Sequence, residues 1–342
     1  MAKSVSAGKL LQKSAIAMMA VATGAMFALG GASLIAPKPT KNQALPAEQR
    51  HSETDLSEPK IVVAVAPDIG KPIDVTLTNS TDKLHDLFAG IGYELDGVRK
   101  NGEVPRVFIA SLPQDLRKLP RAQQRKVTFI KSTLPLILHA NELIVQDRTR
   151  IEALRDKSLL GHELTPEDTA WLADTADLYG LDSLDFDALL KRVDIVPPSL
   201  AIAQAAEESG WGTSRFAREG NALFGQRAYR PSKKGIVPEQ RPDGKTFRVR
   251  AFDHLIDGVK AYVHNLNSHF AYEDFRALRA SLRAETGHID GYALAGSLLR
   301  YSERGQDYIE TIRVIMRVNA LQVFDAAKLG IAVATDDDGP DA

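Results

Sequence analysis

The sequence predicts a mainly α-helical protein with one small β lobe, and a helical extension ahead of the part that carries the chemistry. Three observations predict this. Apolar residues recur at spacings of three and four through 121–152 and again through most of 253–321, the period of an amphipathic helix. Helix start and stop signals punctuate those runs, as in Thr165-Pro166-Glu167-Asp168 at one end and Gly180 at the other. Only the stretch after Gln226 switches to turn chemistry and alternation, with Pro242-Asp243-Gly244 followed by Thr246, Phe247, Val249, Ala251 and Phe252.

Composition bounds what such a chain can do. The 342 residues are 44% apolar and 25% charged, as in a globular protein. The formal net charge of −1 hides an asymmetry: residues 213–250 carry ten Lys or Arg against Glu219, Glu239 and Asp243. A basic segment of this kind suits an anionic polymer, whether a cell-wall glycan or a nucleic acid. Cysteine is absent, which excludes a disulfide framework, a thiolate nucleophile and cysteine-ligated metal. His254, His264 and His269 lack a carboxylate set at ligand spacing, so no metal and no cofactor is expected.

In chain order, Lys3, Lys9 and Lys13 precede the uncharged residues 14–37, a pattern of an export signal or an uncleaved anchor. Residues 1–37 are therefore expected to engage the inner membrane, with the remainder outside the cytoplasm. Residues 38–80 are polar and proline-rich and read as a flexible linker. A helical extension is expected over 81–195. Within it residues 104–110 are extended, Pro135 kinks or splits the helix of 121–152, and further helices run to Leu178 and over 185–193. His139, Asn141 and Glu142 are polar exceptions on an apolar helix and read as a buried hydrogen-bond network. The second domain is expected over 196–323, with helices at 253–269, 272–283, 289–299 and 307–321. Residues 324–342 read as a disordered acidic tail.

The informative stretch is 199–226. Pro197 and Pro198 precede Ser199, whose hydroxyl is read as the helix cap, and a small apolar run follows. Ser209, Gly210, Trp211 and Gly212 end that helix, so Glu207 and Glu208 occupy its last turn. A carboxylate at the negative end of a buried helix is a candidate for a raised pKa and a general-acid role. Glu208 shares a face with Gln204 and Ala201, whereas Glu207 lies about 100° round the helix. Solvation of both carboxylates in the last turn is the competing reading from spacing alone.

The run Gln204-Ala-Ala-Glu-Glu-Ser-Gly-Trp-Gly212, with Ser214-Arg-Phe216 and Asn221-Ala-Leu-Phe-Gly-Gln226, resembles the N-acetylglucosaminidase domain of flagellar peptidoglycan hydrolases and autolysins, and within it the Bax-type proteins. The resemblance extends over roughly residues 104–320, through Val104-Pro-Arg-Val-Phe108 upstream and Tyr301-Ser-Glu-Arg-Gly-Gln-Asp-Tyr308 downstream. It implies a lysozyme-like helical domain with a small β lobe, and a glycoside hydrolase cutting the β-1,4 bond after N-acetylglucosamine in peptidoglycan strands. Glu208 would be the catalytic acid, and Glu239 in the lobe the candidate second carboxylate. Trp211, Asn221, Phe224, Gln226, Tyr262, Tyr301 and Tyr308 would line the sugar site, although core packing competes for several of them. Peptidoglycan, rather than nucleic acid, is then the expected partner, in a periplasmic setting. A muramidase, a lytic transglycosylase or a non-catalytic glycan-binding module stays open as an alternative.

Overall fold

The computed structural model describes residues 73–75, 80–228, 234–239 and 246–330. Its helices are α1 (Thr81–Gly90), α2 (Leu95–Asn101), α3 (Ala122–Leu159), α4 (Pro166–Leu178), α5 (Phe186–Arg192), α6 (Pro198–Ser209), α7 (Arg215–Gly220), α8 (Leu255–Ser268), α9 (Glu273–Thr286), α10 (Gly291–Ala295) and α11 (Gln306–Val318). Short strands complete it: β1 (Ile73–Val75), β2 (Glu103–Val104), β3 (Val107–Ile109), β4 (Arg227–Ala228), β5 (Gly235–Ile236), β6 (Arg248–Arg250) and β7 (Lys328–Leu329). The mainly α class with a small β lobe is thus the observed one. In the lobe β6 lies between β4 and β5, antiparallel to both, with Arg227 opposite Val249 and Gly235 opposite Arg250.

Helix α6 is the axis of the molecule. From Pro198 to Ala206 every residue is buried, because α3, α10 and α11 pack around it. Small side chains at Ala201, Ala203, Ala205 and Ala206 let those neighbours approach closely. Gly212 shows how tight the far end is. A Cβ there would lie 2.5 Å from Leu112 Cδ1 and 3.1 Å from Phe129 Cδ2, so only hydrogen fits between this turn and the extension. One buried cluster runs from Leu84 in α1 through α3 and α6 to Leu329, so extension and second domain share a core.

The connector into α6 is held by arginine. Arg279, fully buried in α9, donates to the carbonyls of Asp194 (3.0 Å), Ile195 (2.9 Å) and Lys191 (3.0 Å), and to Asn267 Oδ1 (2.7 Å). Asp194 accepts from Arg283 and sits 3.5 Å from Arg148 of α3. Asn141 brackets Val196, its amide donating to the carbonyl at 2.8 Å and its oxygen accepting from the Val196 N–H at 3.1 Å. Arg106 pairs with Glu142 at 2.6 Å, while His139 Nδ1 has no hydrogen-bond partner among the described residues, so Asn141 and Glu142 are satisfied singly and the polar exceptions of α3 do not form one network. Buried backbone groups left without such partners would each cost about 1–3 kcal/mol.

Several sequence expectations are corrected. The helix containing Pro135 is not split: α3 runs for 38 residues, since residues 128–138 are buried against neighbours that hold the helix where one N–H is missing. Ser199 does not cap α6. The helix begins at Pro198, and the Ser199 N–H and hydroxyl both donate to Asp325, at 2.8 and 2.7 Å. The helix expected over 289–299 is the short α10, capped by Asp290 and followed by turns. The tail expected from 324 is ordered as far as Gly330. A 3-10 turn (Gln322–Ala326) buries Phe324, and β7 pairs in parallel with β2. Within the expected linker, β1 pairs in parallel with β3. The apolar stretch at 14–37, the Pro242-Asp243-Gly244 turn and residues 331–342 lie outside the described residues. Among the described residues no helix is long and apolar enough to cross a membrane.

Candidate active site

Glu208 ends α6 at the point where four tyrosines from three other parts of the chain converge. The helix stops because Gly210 takes the left-handed conformation (φ 58°), and Trp211 follows in the same region (φ 58°). Trp211 packs edge-on to Phe129 at 5.8 Å between ring centroids, with the Lys126 ammonium 5.0 Å from its ring centre. Its main contact is therefore with the extension, beneath the helix end.

The Glu208 carboxyl has its pKa raised to about 7. Burial is the largest cause and a hydrogen bond with the Tyr308 hydroxyl opposes it; Glu207 raises the value further and Arg304 lowers it. The residue as a whole is half-buried. Tyr262, Tyr272, Tyr301 and Tyr308 all sense the Glu208 charge, which pushes each phenol further upward. Gly225, with φ +63°, brings the chain across the carboxyl: a Cβ there would lie 3.7 Å from Oε2.

The rings around this acid are ordered by contact. Phe224 stacks on Tyr262 at 3.8 Å and 5°. Tyr301 stacks on Tyr308 at 5.4 Å and lies 5.9 Å from Tyr272. Both Tyr262 and Tyr308 are buried and hydrogen-bond to Gln204, one turn before Glu208. Glu207 takes a different course. It pairs with Arg304 at 2.7 Å, and Arg304 also bonds the Thr311 hydroxyl. One carboxylate of the pair is neutralised by a cation and the other is left among phenols.

Of the residues expected to line a sugar site, Phe224, Tyr262, Tyr301 and Tyr308 gather around Glu208. Asn221 is a scaffold: in the left-handed region (φ 50°), it donates to the carbonyls of Phe252 (3.1 Å) and Asp253 (3.0 Å), joining the lobe's exit to the turn after α7. Gln226 is half-buried and its carbonyl accepts from Arg250 N at 2.7 Å, which starts the lobe. Glu239 is at the surface, 81% exposed at its side chain, with Oε1 3.3 Å from Arg215 Nε. Three neighbours had no role in the sequence reading. Gln204 carried a signal in its i−4 spacing from Glu208; Tyr272 and Arg304 carried none, because only packing brings them there. No group of three or more His, Cys, Asp or Glu is placed to hold a metal among the described residues. Two cavities, of about 220 and 390 Å³, lie elsewhere, one against α2 and one between α5 and α9.

Comparison with known proteins bears on this arrangement. Residues 184–321 match the glucosaminidase family, described as mannosyl-glycoprotein endo-beta-N-acetylglucosaminidase. The chain is 37% identical over 205 residues to protein bax of Escherichia coli (strain K12), a match covering 58% of this chain and 71% of the relative. The chain belongs to the Bax-type glucosaminidase-domain proteins. Its family domain begins ahead of the Asp194 connector and ends just before the strap of residues 322–330. The domain is that of a glycoside hydrolase family, and Glu208 with its tyrosines lies inside the matched residues. No solved structure matches the chain.

Proposed function

We propose that this Bax-type chain hydrolyses the β-1,4 bond after N-acetylglucosamine in peptidoglycan, with Glu208 as general acid. The observation that carries the reading is a half-buried carboxyl at the end of a core helix, among tyrosines, with its pKa raised to about 7. Such an acid still carries its proton in about half of the molecules at neutral pH and can give it to the leaving oxygen. Glu208 gives its proton to the glycosidic oxygen as the C1–O bond breaks and positive charge builds on the ring. Water then adds to C1 and loses its proton to a base. Of the four tyrosines Tyr301 is the one that keeps part of its surface exposed, and a phenol ring there suits a neighbouring subsite because it covers the apolar face of a pyranose and keeps a hydroxyl for its polar edge.

Two groups can serve as the base: Glu239 of the lobe, which lies at the surface beside Arg215, and the substrate's own acetamido group. A second carboxylate at about 6.5–9.5 Å from the acid activates water with inversion. The substrate's acetamido group takes this part if Glu239→Gln keeps its activity, a variant expected to fold because the residue is exposed. The basic segment 213–250 would steer the anionic strand toward the cleft. The setting we propose is periplasmic, with residues 14–37 as anchor or export signal.

Digestion of purified sacculi by the chain lacking residues 1–72 tests the reading. Fragments whose reducible ends are N-acetylglucosamine are expected. Ends in N-acetylmuramic acid, or its anhydro form, would move the activity to the other glycosidic bond, and binding without release of fragments would make the protein a glycan-binding module.

A further inference from the structure

The extension carries an unpaired basic face beside the turn that follows Glu208. Arg117, Lys118 and Arg121 are exposed, and Arg125 and Lys126 are half-buried. None of the five forms an ion pair among the described residues. Asp115, the carboxylate within this stretch, is taken by the Thr81 N–H and hydroxyl at 2.9 and 2.6 Å. Three contacts fix the face to the turn. The Lys126 ammonium lies 5.0 Å from the ring centre of Trp211, three residues beyond Glu208. A Cβ on Gly212 would lie 3.2 Å from Leu116, and Gln114 donates to the Arg218 carbonyl at 2.6 Å. Arg218 adds a sixth cation, since its guanidinium bonds the Thr213 carbonyl and Gln114 but no carboxylate. The arrangement is unfavourable by itself. Arg121, Arg125 and Lys126 stand at the start of α3, at the positive end of its dipole, and no acidic residue occupies its first turn. Such a face is at ease only when it meets an anion.

We propose that this face of the extension binds the carboxylates of the short peptides that a peptidoglycan strand carries, and so holds the strand while its sugars lie at Glu208. The inference rests on the peptidoglycan reading of that site. In such a strand the lactyl carboxyl is taken up in an amide, so the negative charge resides in the free carboxylates of the peptides and not in the sugars. A guanidinium meets a carboxylate through two parallel N–H bonds, and four of the six cations are arginines. The peptides project sideways from the strand, and the face lies beyond the turn of residues 209–212, which leads directly from the acid. A bilayer surface fits less well. No large apolar side chain is exposed in residues 111–127 or 209–221, whereas binding in a membrane interface draws on buried apolar area as well as charge. The glucosaminidase match begins at residue 184, so five of these cations are what the extension adds to the family domain.

Co-sedimentation with purified sacculi tests the proposal, using the full chain with Glu208→Gln so that nothing is digested. Arg117→Gln, Lys118→Gln and Arg121→Gln are combined in one neutralised variant. It should melt where its parent does, because none of these three side chains makes a hydrogen bond, ion pair or ring contact among the described residues. Its affinity for sacculi should fall about tenfold at low salt. The difference should vanish in about 1 M salt, where charges are screened within roughly 3 Å. On glycan strands stripped of their peptides by an amidase, parent and variant should bind alike, and both more weakly than the parent binds intact sacculi. Unchanged affinity of the variant for sacculi overturns the proposal, and so does an equal loss on stripped strands. Native affinity for sacculi together with lost binding to phosphatidylglycerol vesicles would make the face a membrane surface instead. The two readings fail separately. Binding by the native chain without fragment release removes only the hydrolase reading, whereas no binding of sacculi by parent or variant removes both.

Discussion

Helix α6 carries a buried carboxyl at each end, and the two have opposite surroundings. At its N-terminus Asp325 accepts from Ser199 N–H, the Ser199 hydroxyl and Gly291 N–H, at 2.8, 2.7 and 3.2 Å. At its C-terminus Glu208 lies among phenols with a second carboxylate beside it. Both are raised, Asp325 to about 6 and Glu208 to about 7, in each case chiefly by burial. A raised pKa therefore does not mark the catalytic group by itself. The difference is in spare capacity: Asp325 is enclosed by donors at the positive end of the helix, where a carboxylate belongs. Glu208 sits half-buried at the negative end without such a set of donors, which leaves a proton free to be given away.

Substitution of the two ends should separate these roles. Glu208→Gln is expected to lower turnover by about 10²–10⁴-fold, read as fragment release from sacculi, because proton donation is lost while the shape is kept. The same change should stabilise the fold above pH 7. The folded-state pKa of about 7 exceeds the unfolded value, so the contribution of Glu208 is fully present at low pH and lost as pH rises through 7. Removing the ionised form gains on the order of 2–3 kcal/mol at pH 8, with the gain vanishing below about pH 4.5. Thermal melts of both proteins across pH 4–8 measure it. A stability difference that does not depend on pH would remove the contrast between the two ends.

Asp325→Ala should instead destabilise at neutral pH by about 1–3 kcal/mol, since three donors at the start of α6 lose their acceptor. Its alkaline limb of activity should stay where the native limb is, because Asp325 lies at the opposite end of α6 from Glu208. A moved limb would mean that the two ends are coupled through the helix. The smallest effect sharpens the comparison at the catalytic end. Glu207→Gln removes a like charge and frees Arg304, both of which lower the pKa of Glu208, so the alkaline limb should shift downward by less than one unit. An upward shift would show that Arg304 reaches Glu208 only through Glu207.

Much of this was readable in the chain. The start of α6 between prolines, its stop at Ser-Gly-Trp-Gly and the small-residue core between them were local signals, and they placed Glu208 in the last turn of a buried helix. The split expected at Pro135 was not found, because a proline's missing bond is a local penalty that dense packing on every side of α3 outweighs. The helix expected at 289–299 failed for the opposite reason. Its apolar spacing is met by turns that pack Leu294 and Leu298, with no continuous hydrogen-bond ladder.

Residue type and spacing by themselves determined that there is one carboxylate at the end of a core helix, and which of the two adjacent glutamates shares a face with Gln204. Periodicity and capping chemistry act within a few residues, so a single sequence carries them in full. What only the tertiary structure decided is how each polar group is satisfied: that Asp325 caps α6 across 126 positions of chain, that Arg304 takes Glu207, and that Gln204 joins two buried phenols. Those partners are distant in sequence, and burial obliges each buried donor and acceptor to find one, so their pairing exists only once the helices have packed.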